Sequence, residues 1–225
     1  DDLNIVLKGA VSGARDVSAE IVSRYDSGHK ALSTGKTSGT TLGLETIKND
    51  LDALYLTIGA NNKTNMDTLR GHLDFGTNPV FHVRPGVEIV GAASGDFTIG
   101  ADLDFSTLRF AGEAGVLTLR AQNNLKINNS ISDGFSLAKT GNASYAATGR
   151  VAKIGSADAS WSYRLVAGAD TSAAGVTAVK AVATSGNLDI AGGKLVRTTT
   201  GDIALAAQGN VTLGDKAVIY TAGRD

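Results

Sequence analysis

The sequence predicts an all-β chain of short strands stacked into a solenoid, and three observations predict it. First, one unit is written twice: Gly115-Val-Leu-Thr-Leu-Arg-Ala-Gln-Asn-Asn-Leu-Lys-Ile127 and Gly201-Asp-Ile-Ala-Leu-Ala-Ala-Gln-Gly-Asn-Val-Thr-Leu213. The copies share Gly, Leu, Ala, Gln and Asn at matching positions, and weaker echoes stand at Gly95-Asp-Phe-Thr-Ile99 and Gly186-Asn-Leu-Asp-Ile190. Units of this kind cannot bury their apolar face alone and must stack on one another. Second, the chain holds 28 Gly and only 2 Pro, with many Val, Ile, Thr and Ser, which favours turn-rich β structure over helix. Third, apolar residues alternate with polar ones through most of the chain, the period of a half-buried strand.

The elements follow in order. Residues 3 to 25 read as two strands, with Leu3, Ile5 and Leu7 alternating before the turn Ser12-Gly13-Ala14, and Val17, Ala19 and Ile21 after it. Residues 26 to 43 are small and polar and read as a long loop. Residues 44 to 73 change period. Leu44, Ile47, Leu51, Leu54 and Ile58 fall at helical spacing, and Gly59 suits a helix end. Thr64-Asn-Met-Asp67 then reads as a capping box for a second helix carrying Met66, Leu69 and Leu73. The pair forms a helical hairpin inserted in a β chain, a cover for the core or a contact surface.

Strand signals are densest over 79 to 135. Phe81, Val83, Val87 and Ile89 alternate around Pro85, whose missing donor calls for an edge or a corner. Phe97 with Ile99, Leu103 with Phe105, and Leu108 with Phe110 lead into the first full unit. Residues 136 to 156 read as a loop or weak coil. Strands resume at Trp161, Tyr163 and Leu165, and four or five more fill residues 175 to 225. Coils of roughly 20 residues, about eight in all, would suit such a stack.

Composition narrows the function. A hydrophobic share of 42% with 19% charged residues is that of a folded chain, not a disordered one. The net charge is −1 and no Lys/Arg run occurs, so nucleic acid is not an expected partner. Without cysteine, disulfides, thiolate catalysis and thiolate metal sites are excluded. No apolar run approaches the roughly 20 residues of a membrane helix. The chain starts at Asp1 and stops just after a strand-like segment, Ile219-Tyr-Thr-Ala-Gly-Arg-Asp225, so it is expected to be a segment of something longer.

Several stretches together resemble the repeat region of filamentous-haemagglutinin-like exoproteins of bacterial two-partner secretion. These are Arg84-Pro-Gly-Val-Glu-Ile89, Gly115 to Ala121 with Asn124-Leu125, Ser132-Asp-Gly-Phe135, and Ser160-Trp-Ser-Tyr-Arg-Leu-Val-Ala-Gly-Ala-Asp170. The resemblance spans residues 80 to 225. It implies a right-handed parallel β-helix; the whole chain, residues 1–225, is then expected to be one β-helix segment, with the helical hairpin read from the spacing at 44–73 as an insertion. It also implies export through an outer-membrane partner and a secreted or surface-bound product. The expected function is a non-enzymatic stalk and contact surface of a large adhesin, meeting a receptor or glycan on a host or neighbouring cell. The alternatives are a carbohydrate-active β-helix enzyme and a subunit that self-associates end to end along the rod axis. No catalytic residue, metal ligand or cofactor site is assigned through the resemblance.

Few residues suggest chemistry by themselves. Asp102-Leu-Asp104 sets two carboxylates on one strand face, an arrangement usable for calcium or for acid/base work, with Arg109 as the nearby cation. Trp161 and Tyr163, with Arg164 beside them, would form a sugar-stacking platform if turned outward; alternation with Leu165 favours the interior. The residues weighed for ligand or glycan contact are therefore Trp161, Tyr163, Arg164, Asp102 and Asp104. His29, His72 and His82 lack ligand spacing and read as solvent-facing. Asn62, Asn128, Asn142 and Asn210 open Asn-x-Ser/Thr sequons, but the Asn124/Asn210 match points to side chains that bond along the stack. No phosphate-binding glycine loop is present.

Overall fold

The computed structural model describes residues 13, 17–55, 81–110, 112–135, 159–182 and 185–223. They form a mostly β architecture with one helix and no closed barrel. In order, the elements are β1 (Val17–His29), β2 (Ala31–Ser33), β3 (Thr41–Gly43), α1 (Leu44–Tyr55), β4 (Phe81–Gly91), β5 (Phe97–Ile99), β6 (Leu103–Asp104), β7 (Val116–Ala121) and β8 (Leu125–Ile127). There follow β9 (Ile131–Ser132), β10 (Ser162–Ala167), β11 (Leu188–Ile190), β12 (Leu195–Thr198), β13 (Ile203–Ala207), β14 (Val211–Leu213) and β15 (Val218–Thr221).

The strands sort into three sheets, and from β4 onward the chain visits them in turn. The first sheet runs β1-β4-β7-β10-β13, the second β14-β11-β8-β5-β2-β3, and the third β15-β12-β9-β6. Every strand pair is parallel. Parallel neighbours in register bring like residues over like residues. Val87, Leu117, Tyr163 and Ile203 make one inward column, and Ile89, Leu119, Leu165 and Leu205 another. In the second sheet Phe97, Leu125, Leu188 and Val211 stack, as do Ile99, Ile127, Ile190 and Leu213. In the third, Leu103, Ile131, Val196 and Ile219 do the same. These columns meet in one core. The hydrophobic term, about 25 cal/mol per Å² of apolar area removed from water, is thus spread along the stack.

The unit's glycine has a steric reason. A Cβ on Gly201 would lie 2.1 Å from the Trp161 carbonyl oxygen, and one on Gly115 would lie 2.5 Å from the Trp161 ring. Both glycines let neighbouring coils close on Trp161 from opposite sides. Pro85 sits inside β4, not on an edge strand, but pairing with β7 begins only at Gly86, so its missing donor falls where one flank is unpaired.

Several expectations need correction. Residues 26–43 are not one loop: β1 runs on to His29, and β2 and β3 lie within the span. Each of those two strands buries a single leucine, Leu32 or Leu42, so their polar composition hides them. Among the described residues the expected count of about eight coils is not reached. The sheets hold five, six and four strands. Asx residues equivalent in the stack are 28, 63 and 23 positions apart, because circuits carry excursions of different length. One such excursion, after β10, folds back over the first sheet. There Asp170 O accepts from Arg120, and Lys180 Nζ donates to Gln122 O at 2.7 Å.

Helix α1 buries Ile47, Leu51 and Tyr55, one i, i+4, i+8 stripe. Tyr55 packs on Phe110 at 6.0 Å between ring centroids and donates its hydroxyl to Ile21 O at 2.6 Å. Burial holds that phenol well above its ordinary pKa. Tyr25 donates to Asp50 of the helix at 3.0 Å. The helix therefore covers the end of the stack formed by β1 and β3. The second expected helix, residues 64–73, lies outside the described residues, as do the segments 3–12 and 136–156.

Candidate functional site

Trp161 and Tyr163 do not form an outward platform. Both are 0% exposed. Trp161 lies 5.0 Å from the Phe105 ring and Tyr163 lies 5.8 Å from it, and the Trp161 indole N–H donates to Leu108 O at 2.8 Å. Alternation with Leu165 places them inside, and no sugar can stack on them. Among the described residues the Tyr163 hydroxyl has no hydrogen-bond partner, and burial first, then the Asp133 charge, pushes its pKa well up. Arg164 does face outward, but both its terminal nitrogens engage Glu20, at 2.8 and 2.6 Å. That bond raises its pKa further.

The two carboxylates of Asp102-Leu-Asp104 are separately engaged. Asp102 Oδ1 accepts the Ser130 N–H of the next coil at 2.7 Å and lies 3.9 Å from Lys194 Nζ. Asp104 Oδ1 accepts the Ser106 N–H at 2.9 Å, which closes a local turn. The cation expected beside them, Arg109, turns instead to Asp133. Among the described residues no group of three or more His, Asp or Glu could hold a metal ion. His29 is buried, contrary to the solvent-facing reading. His82 is partly exposed and contacts Glu113 Oε1 at 3.0 Å. His72 lies outside the described residues.

The residues that sequence reasoning passed over form a buried polar network at one corner of the stack. Asp133 is 0% exposed; it accepts from Arg109 at 3.0 Å through both oxygens and from the Trp161 N–H at 2.6 Å. Arg109 also caps Phe105 O and Leu108 O, at 2.8 and 2.9 Å. Burial raises the Asp133 pKa, against the lowering pull of Arg109. Nearby, Ser160 Oγ contacts Thr198 Oγ1 and accepts the Gly201 N–H at 2.7 Å. Arg197 is held between Ser132 and Tyr220, with its guanidinium 4.3 Å from the Phe135 ring centre. Such pairing offsets the desolvation of buried charges and fixes coil against coil. The one signal in the sequence was Asp133-Gly134 following Ser132, a turn dipeptide that gave no hint of its partner.

A second network runs up the stack at the start of the second sheet's strands. Asp96, Asn124, Asn187 and Asn210 each stand just before a strand: β5, β8, β11 and β14. Asn124 donates to Asp96 Oδ1 at 2.9 Å, and its own Oδ1 accepts the Gly186 and Asn187 N–H groups at 2.9 Å. Asn187 Oδ1 accepts the Asn210 N–H at 2.9 Å. Lys126 and then Asn124 hold the Asp96 carboxylate below its ordinary pKa, against its slight burial.

At the β13–β15 end, the column residues become accessible. Of these, Val211 is 45% exposed and Leu213 48%; Val218, outside the columns, is 41% exposed. Among the described residues these strands pair with β10, β11 and β12. Comparison with known proteins gives no match to a family model, to a curated protein or to a solved structure.

Proposed function

We propose that this chain is a segment of a right-handed parallel β-helix that serves as a non-enzymatic stalk in a large secreted bacterial adhesin or surface filament. The observation that carries the reading is the columnar stack: three parallel sheets visited in turn, with apolar and Asx columns continued from coil to coil. Backbone pairing along such a stack gives stiffness over length, and each circuit makes the surface on which the next can form. The resemblance of residues 80–225 to filamentous-haemagglutinin-like exoproteins supports export through an outer-membrane partner and display at the cell surface. Contact with a receptor or glycan then falls to the outer faces and excursions, since Trp161 and Tyr163 are interior and Asp102 and Asp104 are engaged in coil contacts.

The test is the mass and location of the native polypeptide, detected with an antibody raised to residues 81–223. A band far above 22.9 kDa at the cell surface or in the medium is expected. A free chain of that size within the cell would overturn the proposal.

A further inference from the structure

We propose that Asn128 is a site of N-linked glycosylation, taking its sugar from a diphosphate-activated donor. Asn128-Asn-Ser130 is an Asn-x-Ser sequon. The structure separates Asn128 from other asparagines of the stack. Asn123 donates to Ala93 O and Gly95 O, both at 3.0 Å, and Asn124 donates to Asp96 at 2.9 Å. Asn129 donates to Ile99 O at 3.1 Å, and Asn187 accepts the Asn210 N–H at 2.9 Å. Asn123, Asn124, Asn129 and Asn187 all tie coil to coil, and none has Ser or Thr two residues on. Asn128 is exposed, and its side chain bonds none of the described residues. An amide that binds neighbouring coils cannot carry a sugar without breaking the stack; the sequon falls on one that is free to.

The corner around Asn128 leaves room for the product. Ile127 is buried in the core, and the next residue turns outward. The register of Ile99, Ile127 and Ile190 sets Gly100 and Ala191 beside Asn128 on the two adjacent coils, and both are small. Gly100 is not required by its own backbone. Its φ lies outside the left-handed region, and a Cβ on it would meet nothing closer than Leu32 O at 3.5 Å. Its missing side chain keeps one flank of Asn128 open. In the transfer, Asn128 Nδ2 bonds the anomeric carbon as that carbon's bond to the diphosphate oxygen breaks. The diphosphate leaves with the electron pair, and the amide nitrogen gives up one proton. A sequon is read through its hydroxyl, and in the folded chain Ser130 Oγ accepts the Leu195 N–H at 3.2 Å. The sugar is therefore added before β12 stacks on β9, and the folded coil then holds it at the surface.

The test is the mass of peptide 127–139, which trypsin releases by cutting after Lys126 and Lys139. The chain is isolated from its native source, and electron-transfer fragmentation places any added mass on one residue. A hexose or N-acetylhexosamine increment on Asn128 is expected; a single sugar marks a nucleotide-linked donor, and a block transferred whole marks a lipid-linked one. Ser130→Thr should keep the increment, while Asn128→Gln and Ser130→Ala should lose it. Asn128→Gln should also leave the urea midpoint of the bare chain unchanged, because this amide bonds none of the described residues, so its loss of sugar is not a loss of fold. An unmodified peptide from the native chain, a sugar on Asn129 instead, or an increment that survives Ser130→Ala would each overturn the proposal. The location of the native polypeptide is a separate outcome, so this site and the stalk reading fail independently.

Discussion

Asn124→Ala tests whether the Asx ladder holds coil to coil. The side chain makes three hydrogen bonds at 2.9 Å, one donated to Asp96 and two accepted from the backbone of Gly186 and Asn187. A net hydrogen bond is worth about 1 kcal/mol, and a backbone N–H left without a partner adds a desolvation cost that water reduces at this half-buried corner. The expected loss is about 2–3 kcal/mol. Asn187→Ala removes one bond, to the exposed Asn210 N–H, and should cost about 1 kcal/mol. Asn210→Ala should lie within about 0.5 kcal/mol of the parent, as for a surface side chain that bonds no other described residue. Urea unfolding followed by circular dichroism gives the series, with an unchanged slope as the condition for comparing midpoints. Amide exchange at Gly186 and Asn187 should accelerate in Asn124→Ala before the core opens. Equal losses at the three positions, or a loss at Asn124 no larger than at Asn210, would refute the ladder.

Three further outcomes are expected. Gly201→Ala puts a Cβ 2.1 Å from the Trp161 carbonyl oxygen, so the coils must part, at a cost of about 1–3 kcal/mol read from the unfolding midpoint; an unchanged midpoint would contradict the close approach. Tyr163→Phe removes a buried hydroxyl that has no partner among the described residues, so stability should hold or rise by up to about 1 kcal/mol, and a loss above about 1 kcal/mol would mean that the hydroxyl is bonded. Burial raises the Asp133 pKa above its ordinary 3.8, so between 3.8 and that raised value the native chain binds more protons than the unfolded one. That contribution is present in acid and is lost as pH rises through the native pKa. The stability of the parent relative to Asp133→Asn should therefore fall as pH climbs from 3.8 toward neutrality, and a difference that grows instead would show that Arg109 outweighs burial.

Much of the stack was legible because period and repeat are local properties. The alternation of Phe81, Val83, Val87 and Ile89, and the twin units at Gly115 and Gly201, name inward residues directly, and the matched asparagines announce a column. What failed to show was set by partners distant in sequence. β2 and β3 each bury one leucine among small or half-buried residues, so nothing in their composition separates them from a loop; they become strands because β2 pairs with β5 and β3 with β2. Tyr55 escaped the helical stripe built on Leu44 and Leu54, because its anchor is the carbonyl of Ile21, a residue of another element. The same reasoning explains the misread site. Asp102 and Asp104 look like a functional pair when only their own strand is considered. In the stack one carboxylate is taken by the next coil and the other by its own turn. A residue two positions along a strand shares a face with its partner, yet the coils above and below decide what that face can do. In a stacked chain, polar residues between coils are consumed by neighbours, so binding chemistry must be sought where a neighbour is lacking.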